Sequence, residues 1–197
     1  MASTPARAQT CRMDLVIVDD HPAVRAGLRG LLDDEDDLFV VASAATAREG
    51  FEAIAEAKPA VALIDLHLPD DDGLSLCLRT RALPSPPRVV IYSAFADTHL
   101  AVRAAIAGAH AVLPKTASPR ALLALLRGEL RPPLDARALR TAGANLEPDE
   151  LAILGMLAHG VPEDEVAATL GLAPELARAR RAALLAKLRG RRPLAAA

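Results

Sequence analysis

Three aspartates, Asp19, Asp20 and Asp65, together with Ser93 and Lys115, are the residues of this 197-residue chain best suited to chemistry. Each follows a run of apolar, largely β-branched residues: LVIV before Asp19, VALI before Asp65, VVIY before Ser93 and HAVLP before Lys115. Such runs read as strands buried on both faces, and the carboxyl ends of parallel strands converge on a ligand crevice. Three carboxylates crowded there repel one another. A hard divalent cation such as Mg2+ relieves the crowding, taking carboxylates, a carbonyl and waters in octahedral geometry. The Ser93 hydroxyl and the Lys115 ammonium are the groups a phosphorylated carboxylate needs as donor and counter-ion. The chemistry expected is nucleophilic phosphoryl transfer, in which one carboxylate attacks phosphorus and an acyl phosphate is the product.

The elements that must hold these residues alternate along the chain. Strand signals at 15–20, 39–44, 61–66, 89–94 and 110–115 are separated by Ala/Leu/Arg stretches with helical spacing at 22–32, 46–57, 73–82, 97–107 and 118–127. That alternation predicts a five-stranded, doubly wound parallel α/β sheet. The acidic run DDEDD at 33–37 reads as a solvated loop. Pro132 and Pro133 break the pattern. From Leu146 onward only helical stretches remain, at 148–158, 162–170 and 174–188, with Gly160 and Gly171 at their junctions where C-terminal caps are needed. The predicted organisation is a disordered leader at 1–13, an α/β domain at 14–128, a linker at 129–145, a small all-α domain at 146–190 and a tail at 191–197.

Composition narrows the class. Hydrophobic residues make up 52% of the chain but aromatics only 2%, so Ala, Val, Leu and Ile must build the core. Cys11 and Cys77 offer neither a disulfide framework nor metal spacing, which fits a reduced cytoplasmic protein. No stretch reaches the roughly 18 apolar residues of a membrane span, and the leader lacks a signal-peptide core, so no membrane partner is expected. Residues 1–130 hold 13 Lys/Arg against 17 Asp/Glu, and residues 131–197 hold 10 against 8. Every charged residue after Glu175 is basic, which points to a nucleic-acid-facing C-terminus. The five histidines show no ligand spacing. His21 and His67 border the crevice, and His99, His110 and His159 read as surface or packing residues.

The segments LVIVDDHPAVRAGL, VALIDLHLPDDDGL, VVIYSAF and GAHAVLPKTAS resemble a flavodoxin-like receiver domain, and the whole chain resembles the NarL/FixJ (LuxR-type) response regulators of two-component systems. The resemblance implies that Asp65 accepts a phosphoryl group from a sensor histidine kinase. It implies that Asp20 ligates Mg2+ directly, that Asp19 helps directly or through water, and that the His67 carbonyl completes the set with Asp65. Ser93 becomes the switch hydroxyl and Lys115 the phosphate partner. Beyond this Mg-dependent phosphorylation and dephosphorylation of itself, no enzyme activity is implied. An independent phosphatase is disfavoured because no cap domain and no second general acid accompany Asp65. Pro69 and Gly73 fit the turn after the phosphorylation site, Gly73 as a residue able to adopt positive φ. Val112 stands where such proteins usually carry an aromatic switch residue. Phe95 stands where the family tunes acyl-phosphate lifetime, and Tyr92 reads as packing.

The C-terminal helices resemble a LuxR-type helix-turn-helix. Its last helix carries Arg178, Arg180, Arg181 and Lys187 as expected DNA contacts, with homodimerisation on activation. Two features depart from the pattern. The positioning helix opens on the acids Glu163, Asp164 and Glu165, and Leu176 stands where a polar groove contact is expected. The alternative is therefore a receiver-based interaction module whose degenerate helix-turn-helix binds protein rather than DNA.

Overall fold

The computed structural model describes residues 12–130, 139, 142 and 146–189. Five strands, β1 (Met13–Val18), β2 (Leu38–Ala44), β3 (Val61–Asp65), β4 (Arg88–Ser93) and β5 (Ala111–Pro114), form one parallel sheet in the order β2-β1-β3-β4-β5. The crossovers are α1 (Pro22–Asp33), α2 (Ala47–Ala57), α3 (Gly73–Thr80), α4 (Thr98–Ala107), and α5 (Pro119–Arg127) follows β5. The order reverses at β1, and strand ends on either side of such a switch point open a crevice. Within the described residues 146–189 lie three helices, α6 (Pro148–Ala158), α7 (Glu163–Thr169) and α8 (Pro174–Arg189). The expected α/β architecture with a small all-α part is what the chain adopts. The tail, most of the leader and most of the linker lie outside the described residues, as does Cys11. Met13, assigned to the leader, opens β1.

The period of two along each strand divides the core. Leu15 and Ile17 of β1, with Leu63 and Val90, pack under Leu28 and Leu32 of α1 and Leu122, Leu125 and Leu126 of α5. Val16 and Val18 face the other way, with Ile64 and Ile91, toward Ile54, Leu74, Leu76 and Val102 of α2–α4. That second core continues without interruption into Ile153, Leu154, Leu157, Val166, Leu184, Leu185 and Leu188 of the C-terminal helices. Helix α4 is thus covered on both sides, by the sheet and by α6 and α8. Its alanines and β-branched residues run around most of its circumference, as a helix buried on two faces requires.

Helix boundaries follow their caps. Thr46, Asp72, Asp97 and Ser118 accept from the backbone N–H of Glu49, Ser75, Leu100 and Ala121, satisfying donors the helix cannot. Asp70, in the loop after β3, adds a second acceptor for α2, taking Ala47 N at 2.7 Å and Arg48 N at 3.0 Å. Those bonds hold its carboxyl below the usual range. Gly160 and Gly171 sit at φ +76° and +63° just past α6 and α7, the positions where the sequence demanded them.

The acidic run at 33–37 is not simply solvated. Arg127, the last residue of α5, reaches across to it, Nε 2.8 Å from Asp37 Oδ2 and Nη2 2.6 Å from Asp37 Oδ1, with Nη2 also on Glu35. The hydrogen bond from Arg127 is the main reason the Asp37 carboxyl lies below its ordinary value. Arg127→Ala is expected to lower stability by about 1–2 kcal/mol at neutral pH, since two acids lose a charge-assisted partner at a partly exposed site. A carboxyl with a depressed folded pKa contributes above its unfolded value, near 3.8, and loses that contribution as pH falls through the folded value. Urea titrations should therefore show parent and variant converging in acid. A gap that persists undiminished below that range would contradict the Asp37 pairing.

Candidate functional site

The acids meet at the strand ends. Asp19 is the first residue past β1, fixed by its N–H on Ala44 O of β2 at 3.1 Å and by Arg25 Nη1 on its carbonyl. Asp65 closes β3. Both carboxylates are buried, 2% and 4% exposed. The β5 end supplies the compensating cation. Lys115 lies one residue past β5, its N–H on Ser93 O at 2.8 Å, and its Nζ stands 2.6 Å from Asp19 Oδ2 and 2.9 Å from Asp65 Oδ2. Burial pulls the ammonium pKa down, but the hydrogen bonds and charges of Asp19 and Asp65 outweigh it and the pKa lies above its ordinary value. Tyr92 is half-buried, its hydroxyl 3.3 Å from Lys115 O as donor.

Three carboxylates against one ammonium leave the pocket negative. The ligand atoms of Asp19, Asp20, His21 and Asp65 all lie within 4.8 Å of one another. Asp20 Oδ1 is buried without a hydrogen-bond partner; it stands 2.5 Å from His21 Nδ1, but out of hydrogen-bonding alignment. An orphaned buried carboxylate oxygen beside two further carboxylates is the donor set of a hard divalent cation. His21 N donates to Asp19 Oδ1 at 2.9 Å, so this histidine belongs to the cluster more closely than spacing alone indicated. Among the described residues no thiol joins this cluster: Cys77 is buried elsewhere, its thiol pushed up to about 12 by burial.

The loop after β3 shapes the pocket's other wall. His67 pairs with Asp72 in an isolated antiparallel bridge, and Gly73 N donates to Leu66 O at 2.8 Å. Gly73 does not use positive φ. Its requirement is space, because a Cβ there would stand 2.0 Å from the carbonyl oxygen of Asp65. Ser93 is fully buried at the end of β4, its hydroxyl accepting from Phe95 N at 3.3 Å. Phe95 itself is 79% exposed. Val112 is partly buried on the α2–α4 side of the sheet.

Residues 15–127 match the response regulator receiver domain. The chain belongs to the receiver-bearing response regulators. Two regulators are similar to it along most of their length. DevR/DosR of Mycobacterium tuberculosis, described as a DNA-binding transcriptional activator, is 31% identical over 187 residues, covering 87% of this chain and 86% of that protein. The transcriptional regulatory protein UhpA of Salmonella typhimurium is 32% identical over 190 residues, covering 88% and 90%. Among solved structures, a LuxR-family two-component response regulator from Aurantimonas superposes with a TM-score of 0.57 at 30% identity, covering 69% of this chain and 99% of that one. The NarL/FixJ-type resemblance drawn from the motifs and the receiver fold are thereby supported together.

In this response regulator the four basic residues expected to face DNA are not equivalent. Arg178 is exposed, its Nε 3.2 Å from Glu163 Oε1. Arg180 Nη1 lies 3.5 Å from Asp149 Oδ2, and Lys187 Nζ 2.7 Å from Glu150 Oε2. Arg181 is 2% exposed: its Nε donates to Ile106 O of α4 and its Nη1 to Glu163 Oε2 at 3.0 Å. In this arrangement its guanidinium packs against the receiver and cannot reach a duplex. Spacing along α8 placed Arg181 beside Arg178 but could not tell which side of the helix docks. Of the three acids at the start of α7, Glu163 pairs with Arg178 and Arg181 of α8. Arg25, which holds the Asp19 carbonyl, is a positioning residue that sequence patterns did not single out.

Proposed function

We propose that this response regulator is phosphorylated on Asp65 by a sensor histidine kinase and controls transcription by binding promoter DNA through α8. The observation that carries the reading is the Lys115 ammonium bridging Asp19 and Asp65 at the strand ends. Asp19, Asp20 and Asp65, with the His67 carbonyl, are the groups that would hold Mg2+. When bound, that ion neutralises the negative pocket and the developing charge on phosphorus. An Asp65 carboxylate oxygen attacks the phosphohistidine phosphorus; the P–O bond forms as the P–N bond breaks, and the imidazole leaves. Lys115 then transfers its hydrogen bond from Asp65 to a phosphoryl oxygen, and the Ser93 hydroxyl donates to another. The same pocket supports hydrolysis of its own acyl phosphate and no other enzymatic reaction. A cytoplasmic location follows from a kinase partner of this kind; among the described residues no helix is long and apolar enough to cross a membrane.

The α4–α8 contact gives phosphorylation something to act on. Ser93 ends β4 and Val112 lies within β5 on the side of the sheet that α4 covers, and moving them biases the equilibrium between α8 docked on α4 and α8 free to dimerise and enter a major groove. With Val112 aliphatic, the change in surface is smaller than an aromatic would give. Mobility shifts with genomic fragments test the output. Phosphorylated protein should bind at lower concentration than Asp65→Asn, and Arg178→Ala should weaken binding about tenfold. The salt slope should fall by about one.

The burial of Arg181 and the pairing of Arg178, Arg180 and Lys187 with acids favour a second reading, an interaction module that binds protein. Fragment binding that is absent, or indifferent to Arg178→Ala and to salt, decides for that module. Phe95, beside the switch serine, is expected to slow hydrolysis by crowding the attacking water, so Phe95→Ala should lose its phosphoryl group faster than the parent. An unchanged dephosphorylation rate removes Phe95 from the account.

A further inference from the structure

Between the receiver and the C-terminal helices lies a cavity of about 350 Å³ that the phosphoryl-transfer chemistry does not use. Its receiver wall carries Arg81, Arg88, Gly108 and His110; its other wall carries Leu157, the α6–α7 turn and Arg181. No carboxylate lines it among the described residues. The basic side chains are short of counter-charge. Among the described residues the Arg81 side chain makes no hydrogen bond or ion pair, and Arg88 Nε is buried without a partner while its Nη2 donates only to Leu126 O and the Met13 sulfur. Arg181, almost wholly buried, uses Nε on Ile106 O and Nη1 on Glu163, and its Nη2 has no hydrogen-bond partner among the described residues.

Two of these guanidinium groups converge. Arg81 Nη1 and Arg181 Nη2 each stand 2.7 Å from the point a Cβ on Gly108 would occupy. Like charges brought together in a half-buried space repel, and burial together with Arg81 pulls the Arg181 pKa down. Glu163 offsets part of the Arg181 charge, but it is shared with Arg178 and stands outside the cavity. An oxyanion offers what this geometry lacks, several acceptor oxygens between planar donor groups. The volume falls in the range of small-ligand sites.

We propose that this cavity binds a small phosphate-bearing anion, gripped by Arg81 and Arg181, and that the bound anion holds the receiver against α6 and α8. Because its two walls belong to the two halves of the chain, such a ligand favours the docked arrangement, opposing release of α8 independently of the state of Asp65.

Isothermal titration of the full unphosphorylated chain with inorganic pyrophosphate, in EDTA so that the aspartate pocket plays no part, tests this. One-site saturable binding is expected, weakened about tenfold or more by Arg81→Gln. Arg81 is exposed and its side chain makes no hydrogen bond or ion pair among the described residues, so its replacement leaves the fold intact. Arg120→Gln removes the same charge from an exposed position on α5 and should leave binding unchanged. A parallel titration with orthophosphate separates the ligand sources: tighter pyrophosphate binding assigns a diphosphate-bearing ligand, equal binding a monophosphate. No saturable binding at low millimolar ligand, or equal behaviour of Arg81→Gln and Arg120→Gln, overturns the proposal.

Discussion

Gly73→Ala should cost about 3 kcal/mol or more of stability and slow phosphorylation of Asp65 roughly a hundredfold. The added Cβ would lie 2.0 Å from Asp65 O, 3.0 Å from Asp65 C and 3.1 Å from Ile64 Cγ2. Two of those atoms are backbone of the central strand and cannot swing aside as a flexible side chain does. Relief must come from moving α3 away from β3 or from shifting Asp65 itself, and the second displaces the nucleophile from Lys115. Gly30→Ala provides the contrast. That glycine lies in the middle of α1 with nothing within 4 Å of its Cβ position, so alanine there should stabilise by about 0.5–1 kcal/mol. Chemical denaturation and phosphorylation rates measured side by side decide the matter. A Gly73→Ala protein as stable and as rapidly phosphorylated as Gly30→Ala would show that the close approach imposes nothing.

Removing the Lys115 ammonium is the second large effect. Lys115→Ala leaves the buried carboxylates of Asp19 and Asp65 facing one another without their shared cation. Breaking one side of a buried ion pair costs about 3–5 kcal/mol, and the 18% exposure of the Lys115 side chain reduces that to roughly 2–3 kcal/mol. Millimolar Mg2+ should restore part of the loss, because a second cation can take over the neutralisation. The sign with pH follows from the raised Lys115 pKa. Its contribution is complete below the ordinary value near 10.5 and is lost as pH rises through the folded value. The parent should therefore lose stability in strong alkali on a limb that the variant lacks. Unaltered stability in Lys115→Ala at neutral pH would mean that the two aspartates are solvated well enough to need no partner.

Much of this architecture was legible in the residues because the strands are buried on both faces. Continuous runs such as VALID and VVIYS have no amphipathic alternative, and their separation by helical stretches leaves only a parallel, doubly wound sheet. Asp19, Asp65 and Lys115 were legible for the same reason: each stands at or just past a strand end, and a parallel sheet gathers those ends. What the sequence could not convey depends on packing at a distance. The close approach of Gly73 to the Asp65 carbonyl leaves no mark on composition, so its glycine read as a positive-φ turn. Arg127 and the acids at 35 and 37 are some ninety residues apart, and no local pattern links them. Arg181 shares a helical face with solvent-exposed Arg178 in projection, yet α8 docks on α4 and buries it. Glu163, one of the acids that departed from the helix-turn-helix pattern, has its partners Arg178 and Arg181 on α8, across a helix pair that no local spacing reveals.

Peptide mass spectrometry of the full chain after incubation with a small-molecule phosphodonor and Mg2+ tests the central claim most directly. The pocket formed by Asp19, Asp20, Asp65 and Lys115 predicts a single phosphoryl group per chain, borne by the peptide containing Asp65, dependent on Mg2+ and lost in Asp65→Asn. Phosphoryl uptake that persists in Asp65→Asn, or that never occurs in the parent, would contradict it.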